Sequence, residues 1–253
     1  MLVLLAALVA IGDGDQVGSA TRFVASRDGT KIAFDVAGSG PVVILLHGGG
    51  QTRRDWHRTG YVARLAREFT VVTMDIRGNG ESDKPATLDA FHVDRLREDI
   101  VAVAGAVGAA RFTLWGFSYG ANVGRYLAAS SDRVAGMVYI GIPFGPAAGG
   151  SFRERILELQ DAAPTWVRAM LDYPAVEPAD MRCPTLWLVG TANENALLSV
   201  RAYQPKLAGT RVTLAIVEGL THPQELEQID RVFPQEVEFT RSVAAARTRP
   251  ARG

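Results

Sequence analysis

The chain has 253 residues, 47% of them hydrophobic, which is enough to bury one large core. Its 27 basic and 27 acidic residues balance, so charge gives no reason to expect a nucleic-acid partner. The single cysteine, Cys183, excludes an internal disulfide and is too few for a zinc cluster. Neither the glycine-rich dinucleotide fingerprint nor the P-loop pattern is present.

The N-terminal residues 1–20 are predicted to be an extension or a signal peptide. Residues 1–11 are apolar but too few to span a bilayer, so we expect no membrane insertion. Gly18-Ser19-Ala20 suits signal cleavage, whereas the absence of Lys or Arg before the apolar run argues against a signal. We therefore expect a cytoplasmic protein, or an exported one if residues 1–20 are a signal peptide.

Strands and helices alternate from residue 21 to residue 246, and the basic residues 247–253 are predicted to be a disordered tail. Apolar runs without alternation are typical of buried parallel strands. The predicted strands are 21–26, 31–37, 41–46, 69–74, 112–115, 134–142, 185–189 and 212–217. The predicted helices are 56–68, 93–107, 121–129 and 224–246, the last one interrupted at Pro234. This order predicts an α/β fold with a mostly parallel, eight-stranded sheet and helices on both faces.

Residues 143–182 depart from this alternation, because helices but no strand are predicted there. Ser151-Phe152-Arg153-Glu154 has a capping-box pattern that would open one helix, and a second helix is predicted around 166–171. We interpret the segment as a short lid over the functional site. The alternative is a surface excursion without a role.

The strongest chemical signal is Gly116-Phe117-Ser118-Tyr119-Gly120, between a predicted buried strand and a helix. A G-x-S-x-G nucleophile elbow requires this context, because its tight turn exposes the serine hydroxyl above the sheet. The alternative is an ordinary glycine-rich turn. The context favours Ser118 as a nucleophile.

A second glycine-rich loop, His47-Gly48-Gly49-Gly50, follows an earlier buried strand. Loops of this kind bring a backbone N–H beside the nucleophile to complete an oxyanion hole. We expect the donors to be the N–H groups of Gly49 and Tyr119, although a plain strand-to-helix turn would give the same pattern.

A serine nucleophile needs a base, and the chain has four histidines. His47 belongs to the glycine loop, and His57 and His92 lie in or beside predicted helices. His222 follows the last predicted strand, whose carboxyl end lies at the same sheet edge as the elbow. His222 is therefore the predicted base.

Together these elements resemble the serine-nucleophile, esterase-like branch of the α/β-hydrolase superfamily over about residues 21–243. Residues 75–82 also look like the D-x-R-G-x-G-x-S loop of the esterase, epoxide hydrolase and dehalogenase branch, where this loop is mainly structural. Among the enzymes that this chain resembles, epoxide hydrolases and haloalkane dehalogenases have an Asp nucleophile at the elbow. Ser118 at that position instead favours ester, thioester, lactone or C–C bond chemistry.

The chain departs from the family at the triad acid, because Asn193 occupies the position where the family usually has Asp. An acid orients the base and stabilises its cationic form. Our preferred candidate is the neighbouring Glu194, although Thr191-x-x-Glu194 is also a capping-box pattern. The alternatives are Asn193 with no acid, or an acid from elsewhere in the chain.

The resemblance implies a serine hydrolase that cleaves a small ester, thioester or lactone through an acyl-enzyme. It implies a small-molecule substrate and neither a cofactor nor a metal. One alternative is a cofactor-free perhydrolase or haloperoxidase-like activity, or C–C bond hydrolysis. Another is a weakly catalytic ligand-binding homologue, which the Asn193 departure favours.

Overall fold

The computed structural model describes residues 20–246, so residues 1–19 of the predicted extension and the predicted tail 247–253 lie outside the described residues. The described strands form one sheet in the order β1-β2-β4-β3-β5-β6-β7-β8. They are β1 (Arg22–Ala25), β2 (Lys31–Ala37), β3 (Val42–Leu46), β4 (Thr70–Met74), β5 (Phe112–Phe117), β6 (Val134–Ile140), β7 (Thr185–Gly190) and β8 (Val212–Val217). Only the β1–β2 and β2–β4 pairs are antiparallel. The predicted mostly parallel, eight-stranded α/β fold is confirmed.

Helices cover both faces of this sheet. They are α1 (Arg54–Arg58), α2 (Tyr61–Leu65), α3 (Val93–Ala106), α4 (Tyr119–Ala128), α5 (Gly150–Leu159), α6 (Thr165–Ala169), α7 (Glu194–Tyr203), α8 (Gln224–Glu227) and α9 (Ile229–Ala246). In β3, Ile44 and Leu46 pack into the core layer that contains α3 and α4. Val43 and Leu45 point the other way, into the layer that contains α2 and α9, as the two-residue period of a strand requires. Within residues 20–246, none of the helices has the length and apolar character needed to cross a membrane.

Two helix predictions were wrong in detail. The predicted helix 56–68 is two short helices, because Gly60 separates them with a left-handed φ of 86°. The last helical stretch is interrupted at Gln228 (φ −85°, ψ 55°), and α9 continues through Pro234. Pro234 lies near the start of α9, where it removes a single backbone hydrogen bond.

The segment between β6 and β7 contains α5 and α6 and lies over the carboxyl end of the sheet. The capping-box prediction at Ser151 was wrong, since Gly149 is the N-cap of α5 and no side chain caps this helix. The second predicted helix corresponds to α6 (Thr165–Ala169). Its Trp166 ring packs against the Tyr119 ring with centroids 4.4 Å apart, which brings the segment next to the elbow. Its role as a lid remains a prediction.

Candidate active site

Ser118 lies in a strained turn between β5 and α4. Its φ of 52° and ψ of −116° are unusual for a non-glycine residue, and such conformations cost about 1–3 kcal/mol. The turn is held because the Ser118 N–H donates to the Ile140 carbonyl, while the Ser118 carbonyl accepts from the Asn122 N–H, each at 3.0 Å. The backbone thus presents the Ser118 side chain at the carboxyl edge of the sheet.

The two glycines of the elbow are required by close approach to their neighbours. A Cβ at Gly116 would lie 2.5 Å from Cα of Ala121 in α4. A Cβ at Gly120 would lie 2.1 Å from the Leu46 carbonyl oxygen at the end of β3. The G-x-S-x-G spacing therefore follows from how tightly α4 packs against β3 and β5.

Ser118 and His222, the two residues predicted to act together, lie together in the structure. The Oγ of Ser118 is 2.9 Å from Nε2 of His222, which lies in the turn between β8 and α8. The imidazole stacks on the Phe117 ring, with centroids 4.9 Å apart and planes 23° from parallel. This distance and orientation suit transfer of the serine proton to Nε2.

The other imidazole nitrogen is bound by Glu225, a residue of α8. Nδ1 of His222 is 2.9 Å from Oε2 of Glu225, whose side chain is 0% exposed. The Gly190 N–H donates to Oε1 of the same carboxylate at 2.6 Å. Because a carboxylate only accepts, the network assigns the proton to Nδ1 and leaves Nε2 free to accept from Ser118.

Asn193, at the position expected for the acid, supports the Glu225 carboxylate. Its Nδ2 lies 3.0 Å from each Glu225 oxygen and donates to the Gly141 carbonyl at 2.8 Å. Its Oδ1 accepts from the Ala196 N–H at 3.3 Å and caps α7. The amide thus supplies a donor to Glu225 and an acceptor to the helix.

The prediction that Glu194 contacts the base was wrong. Glu194 is the exposed first residue of α7, and Nδ1 of His222 already binds Glu225. The Thr191–Glu194 capping-box interpretation was also wrong, because Asn193 caps α7 and Thr191 Oγ1 instead accepts from the Gly219 N–H at 2.7 Å. Among the alternatives left open at the sequence level, the geometry corresponds to a carboxylate from elsewhere in the chain.

The sequence analysis missed two residues of this site, Glu225 and Gly141. For Glu225 the spacing His222-x-x-Glu225 was a usable signal, because residues three apart in a helical turn face each other. Gly141, at the end of β6, is the other residue. A Cβ there would lie 2.4 Å from Oε2 of Glu225 and 2.8 Å from Nδ1 of His222, so only glycine leaves room for the pair.

The two predicted oxyanion donors line the same cavity as Ser118. Among the described residues, the N–H groups of Gly49 and Tyr119 have no hydrogen-bond acceptor. Trp166 covers the loop so closely that a Cβ at Gly49 would lie 2.7 Å from its ring. Both N–H groups are therefore available to a ligand beneath Trp166.

His47 holds the glycine loop in place. Its Nδ1 donates to the Gly48 carbonyl at 2.8 Å, and its Nε2 accepts from the Ile76 N–H at 3.0 Å. Burial lowers the pKa of His47, which keeps the ring neutral and able to accept. His47 thus joins the glycine loop to the loop at residues 75–82.

Known proteins share the fold of this chain. A family model described as the alpha/beta hydrolase fold matches residues 41–186, more than half of the chain. The chain belongs to the α/β-hydrolase family.

Relatives of this α/β-hydrolase include epoxide hydrolase B of Mycobacterium tuberculosis, which is 34% identical over 149 residues, covering 54% of this chain and 41% of the relative. The chain spans less than half the length of the curated relatives it matches. The crystal structure of epoxide hydrolase VrEH1 from Vigna radiata superposes with a TM-score of 0.71 at 18% identity, covering 90% of this chain and all of the other. That of esterase RhEst1 from Rhodococcus sp. ECU1013 gives 0.67 at 24% identity, covering 87% of this chain and 98% of the other.

The cavity of this α/β-hydrolase has a volume of about 700 Å³ and lies between the elbow and the segment that contains α5 and α6. Its wall combines apolar side chains such as Trp166 and Met170 with polar groups of Ser118 and His222. Such a cavity suits a small organic molecule. Within the described residues, no group of three or more His, Cys, Asp or Glu could hold a metal ion.

The loop at residues 75–82 lies outside the cavity lining and is held by ion pairs. Both nitrogens of the Arg77 guanidinium edge donate to the Asp99 carboxylate at 2.6 Å. Asp75 accepts from the backbone N–H groups of Arg53 and Glu81 at 2.7 and 2.8 Å. These contacts agree with the structural role that the family resemblance implies for this loop.

Proposed function

We propose that this α/β-hydrolase is a serine hydrolase that cleaves a small carboxylic ester, thioester or lactone through an acyl-enzyme. The observation that carries the proposal is the continuous hydrogen-bonded chain from Ser118 Oγ through the His222 imidazole to the buried Glu225 carboxylate. This arrangement of nucleophile, base and acid is recognised by geometry rather than by the sequence position of the acid.

In the first half of the reaction, Ser118 Oγ attacks the acyl carbon while its proton moves to Nε2 of His222. The Glu225 carboxylate stabilises the resulting imidazolium through Nδ1–H. The N–H groups of Gly49 and Tyr119 bind the oxyanion of the tetrahedral intermediate. Its collapse breaks the bond to the leaving alcohol, which takes the proton from Nε2 and leaves the acyl group on Ser118.

In the second half, a water molecule attacks the acyl-enzyme and gives a proton to Nε2. Collapse of the second tetrahedral intermediate returns that proton to Ser118 Oγ and releases the carboxylic acid. The sum is one ester and one water converted to one acid and one alcohol. The scheme uses only this chain's own residues, the ester and water.

The named relatives include both epoxide hydrolases and an esterase, and the nucleophile separates these activities. The family resemblance implies an Asp nucleophile for epoxide opening. Ser118 occupies the elbow here, which supports acyl transfer. The alternative of a weakly catalytic binding protein rested on Asn193 at the position of the usual acid. The contact between Glu225 and His222 supplies a candidate acid, so that argument no longer favours the alternative.

The test is labelling with a fluorophosphonate, followed by peptide mapping and burst kinetics with 4-nitrophenyl acetate. The proposal expects stoichiometric labelling at Ser118 and a burst of nitrophenol equal to the enzyme concentration. Turnover of styrene oxide without labelling or a burst would identify an epoxide hydrolase instead. A protein that gives neither reaction would be a binding homologue.

A further inference from the structure

Helix α4 carries two further polar side chains along the wall of the cavity. Asn122 and Arg125 lie four and seven residues after Ser118, positions that share one face of a helix. Seven residues correspond to about 10 Å of helix rise, so Arg125 lies at a distance from the nucleophile. Asn122 Oδ1 is buried and has no partner among the described residues. The wall between the nucleophile and Arg125 is therefore polar.

Arg125 is fully buried and has only neutral partners. Its Nη1 donates to the Tyr139 hydroxyl at 3.3 Å and to the Pro143 carbonyl at 3.4 Å, and Nη2 donates to the Tyr126 hydroxyl at 3.2 Å. Its Nε has no partner within residues 20–246. In that same part of the chain, no carboxylate lies within ion-pair distance of this guanidinium.

The other fully buried arginines described by the structure, Arg53 and Arg77, are each paired with carboxylates. The partners are Asp35, Asp75 and Glu81 at Arg53, and Asp28 and Asp99 at Arg77. A guanidinium stays charged in proteins, and burying a charge without a counter-ion is strongly unfavourable. Arg125 differs from the other two because it is among the residues that line the cavity. Its side chain is 0% exposed, so an anion in the cavity supplies the missing charge by displacing a neutral partner such as the Pro143 carbonyl.

We infer that Arg125 is the binding site for a free carboxylate of the substrate, so the preferred substrate is an ester that also carries a carboxylate. This inference rests on the proposed ester hydrolysis. Arginine suits the role because its planar fork binds a carboxylate through two parallel hydrogen bonds. The scissile carbonyl would lie at Ser118, and the substrate chain would pass Asn122 on its way to Arg125.

The experiment compares matched charged and neutral esters by pH-stat. Methyl hydrogen adipate is paired with methyl hexanoate, and 5-acetoxypentanoate with pentyl acetate, so that the carboxylate is tested on the acyl and on the alcohol side. The enzymes are wild type, Arg125→Gln, Arg125→Lys and Arg155→Gln. Arg155 is an exposed arginine of α5 that pairs with Glu158 away from the cavity and serves as the matched control.

We expect kcat/KM of wild type to be at least tenfold higher for the charged member of one pair. Arg125→Gln should lower that ratio at least tenfold, Arg125→Lys should restore part of it, and Arg155→Gln should leave it unchanged. If Arg125 only ties α4 to the Pro143 turn, Arg125→Gln will lower both members of each pair in proportion. That result, or no preference for either charged ester in wild type, would overturn the inference.

A binding measurement separates this inference from the proposed function. Calorimetric titration of the Ser118→Ala variant with methyl hydrogen adipate and with 5-acetoxypentanoate should show, for at least one of the two, binding that weakens at least tenfold when Arg125→Gln is added. Binding of this kind by a chain that hydrolyses no ester would support the carboxylate site and refute the proposed function. Ester hydrolysis without such binding would do the reverse.

Discussion

The nucleophile and the acid of the proposed triad are held in different ways. Ser118 is held by five contiguous residues, in which the glycines at 116 and 120 leave no room for a side chain. The Glu225 carboxylate comes from α8, whereas the amide that orients it, Asn193, comes from the N-cap of α7. The nucleophile is thus set by one backbone conformation, and the acid by side chains that converge from separate elements.

This difference shows which residue of a triad can come from different elements of the same fold. The nucleophile must stand where the helix N-terminus and the oxyanion donors meet, so only one turn can carry it. The acid needs only to bring an oxygen to Nδ1 of His222 and to have its other oxygen satisfied. Glu225 meets both conditions three residues after His222, with the Gly190 N–H on its second oxygen.

The largest expected effect is at the nucleophile. Ser118→Ala should lower kcat for 4-nitrophenyl acetate by about four to six orders of magnitude, because nothing else in the elbow can form the acyl-enzyme. Its urea unfolding midpoint should stay close to that of wild type, since the hydroxyl faces the cavity. Retention of more than a few per cent of turnover in a folded variant would remove Ser118 from this role.

The second-largest loss of kcat is expected at the acid. This prediction tests whether the acid lies on α8. Glu225→Gln should lower kcat by about two to four orders of magnitude, because an amide can present the wrong partner to Nδ1 and cannot stabilise the imidazolium. Glu194→Gln is the matched control, since Glu194 is exposed on α7. We expect less than a twofold change in kcat for the control.

Steady-state kinetics and circular dichroism on both variants decide the matter. A large loss in Glu194→Gln together with a small loss in Glu225→Gln would show that the acid lies on α7. Equal, small losses would indicate a base that works without an acid.

A third variant, Asn193→Asp, restores the residue type that the family usually has at this position. If Asp at 193 were the missing acid, the change would raise kcat. The structure predicts the opposite, because a second carboxylate would lie about 3 Å from Glu225, where two carboxylates cannot both ionise. We expect kcat to fall about tenfold, with a loss of about 1–3 kcal/mol in the free energy of unfolding. A rise in kcat would mean that the Glu225 pair is dispensable.

The sequence was sufficient for features that depend on contiguous residues. The eight strands, the elbow at Ser118 and the histidine after β8 all follow from local pattern and from the rule that parallel strands end at one edge. The acid was assigned wrongly because the family pattern places it after β7, whereas the local signal for it was the spacing His222-x-x-Glu225 beside the base. Gly141 and Arg125 carry no local signal, since their importance comes from side chains that other elements bring to them.

A second buried glutamate, Glu236 of α9, allows a comparison with Glu225, because the two carboxylates differ in their hydrogen-bond partners. Glu225 and Glu236 are both 0% exposed. Glu225 has a histidine, an amide and a backbone N–H as partners. Glu236 has beside it only the Tyr61 hydroxyl among the described residues, and neither of its oxygens makes a well-formed hydrogen bond. Burial raises the pKa of Glu236 to about 8, so its side chain is mostly neutral at pH 7.

The smallest effect on activity, and a distinct effect on stability, is therefore expected at Glu236. Between pH 4.5 and about 8 the unfolded chain releases a proton that the folded chain keeps, so the stability contributed by this group falls as pH rises. Glu236→Gln lacks this titration, so its free energy of unfolding should rise relative to that of wild type between pH 5 and pH 8. The gain should be at most about 4 kcal/mol, at about 1.4 kcal/mol per pH unit. Urea unfolding of both proteins at pH 5, 6.5 and 8 measures the difference, in which the other titrating groups cancel. The kcat of the variant should change little, because Glu236 lies outside the cavity lining. Parallel stability curves for the two proteins would show that the Glu236 carboxylate ionises as freely in the folded chain as in the unfolded one.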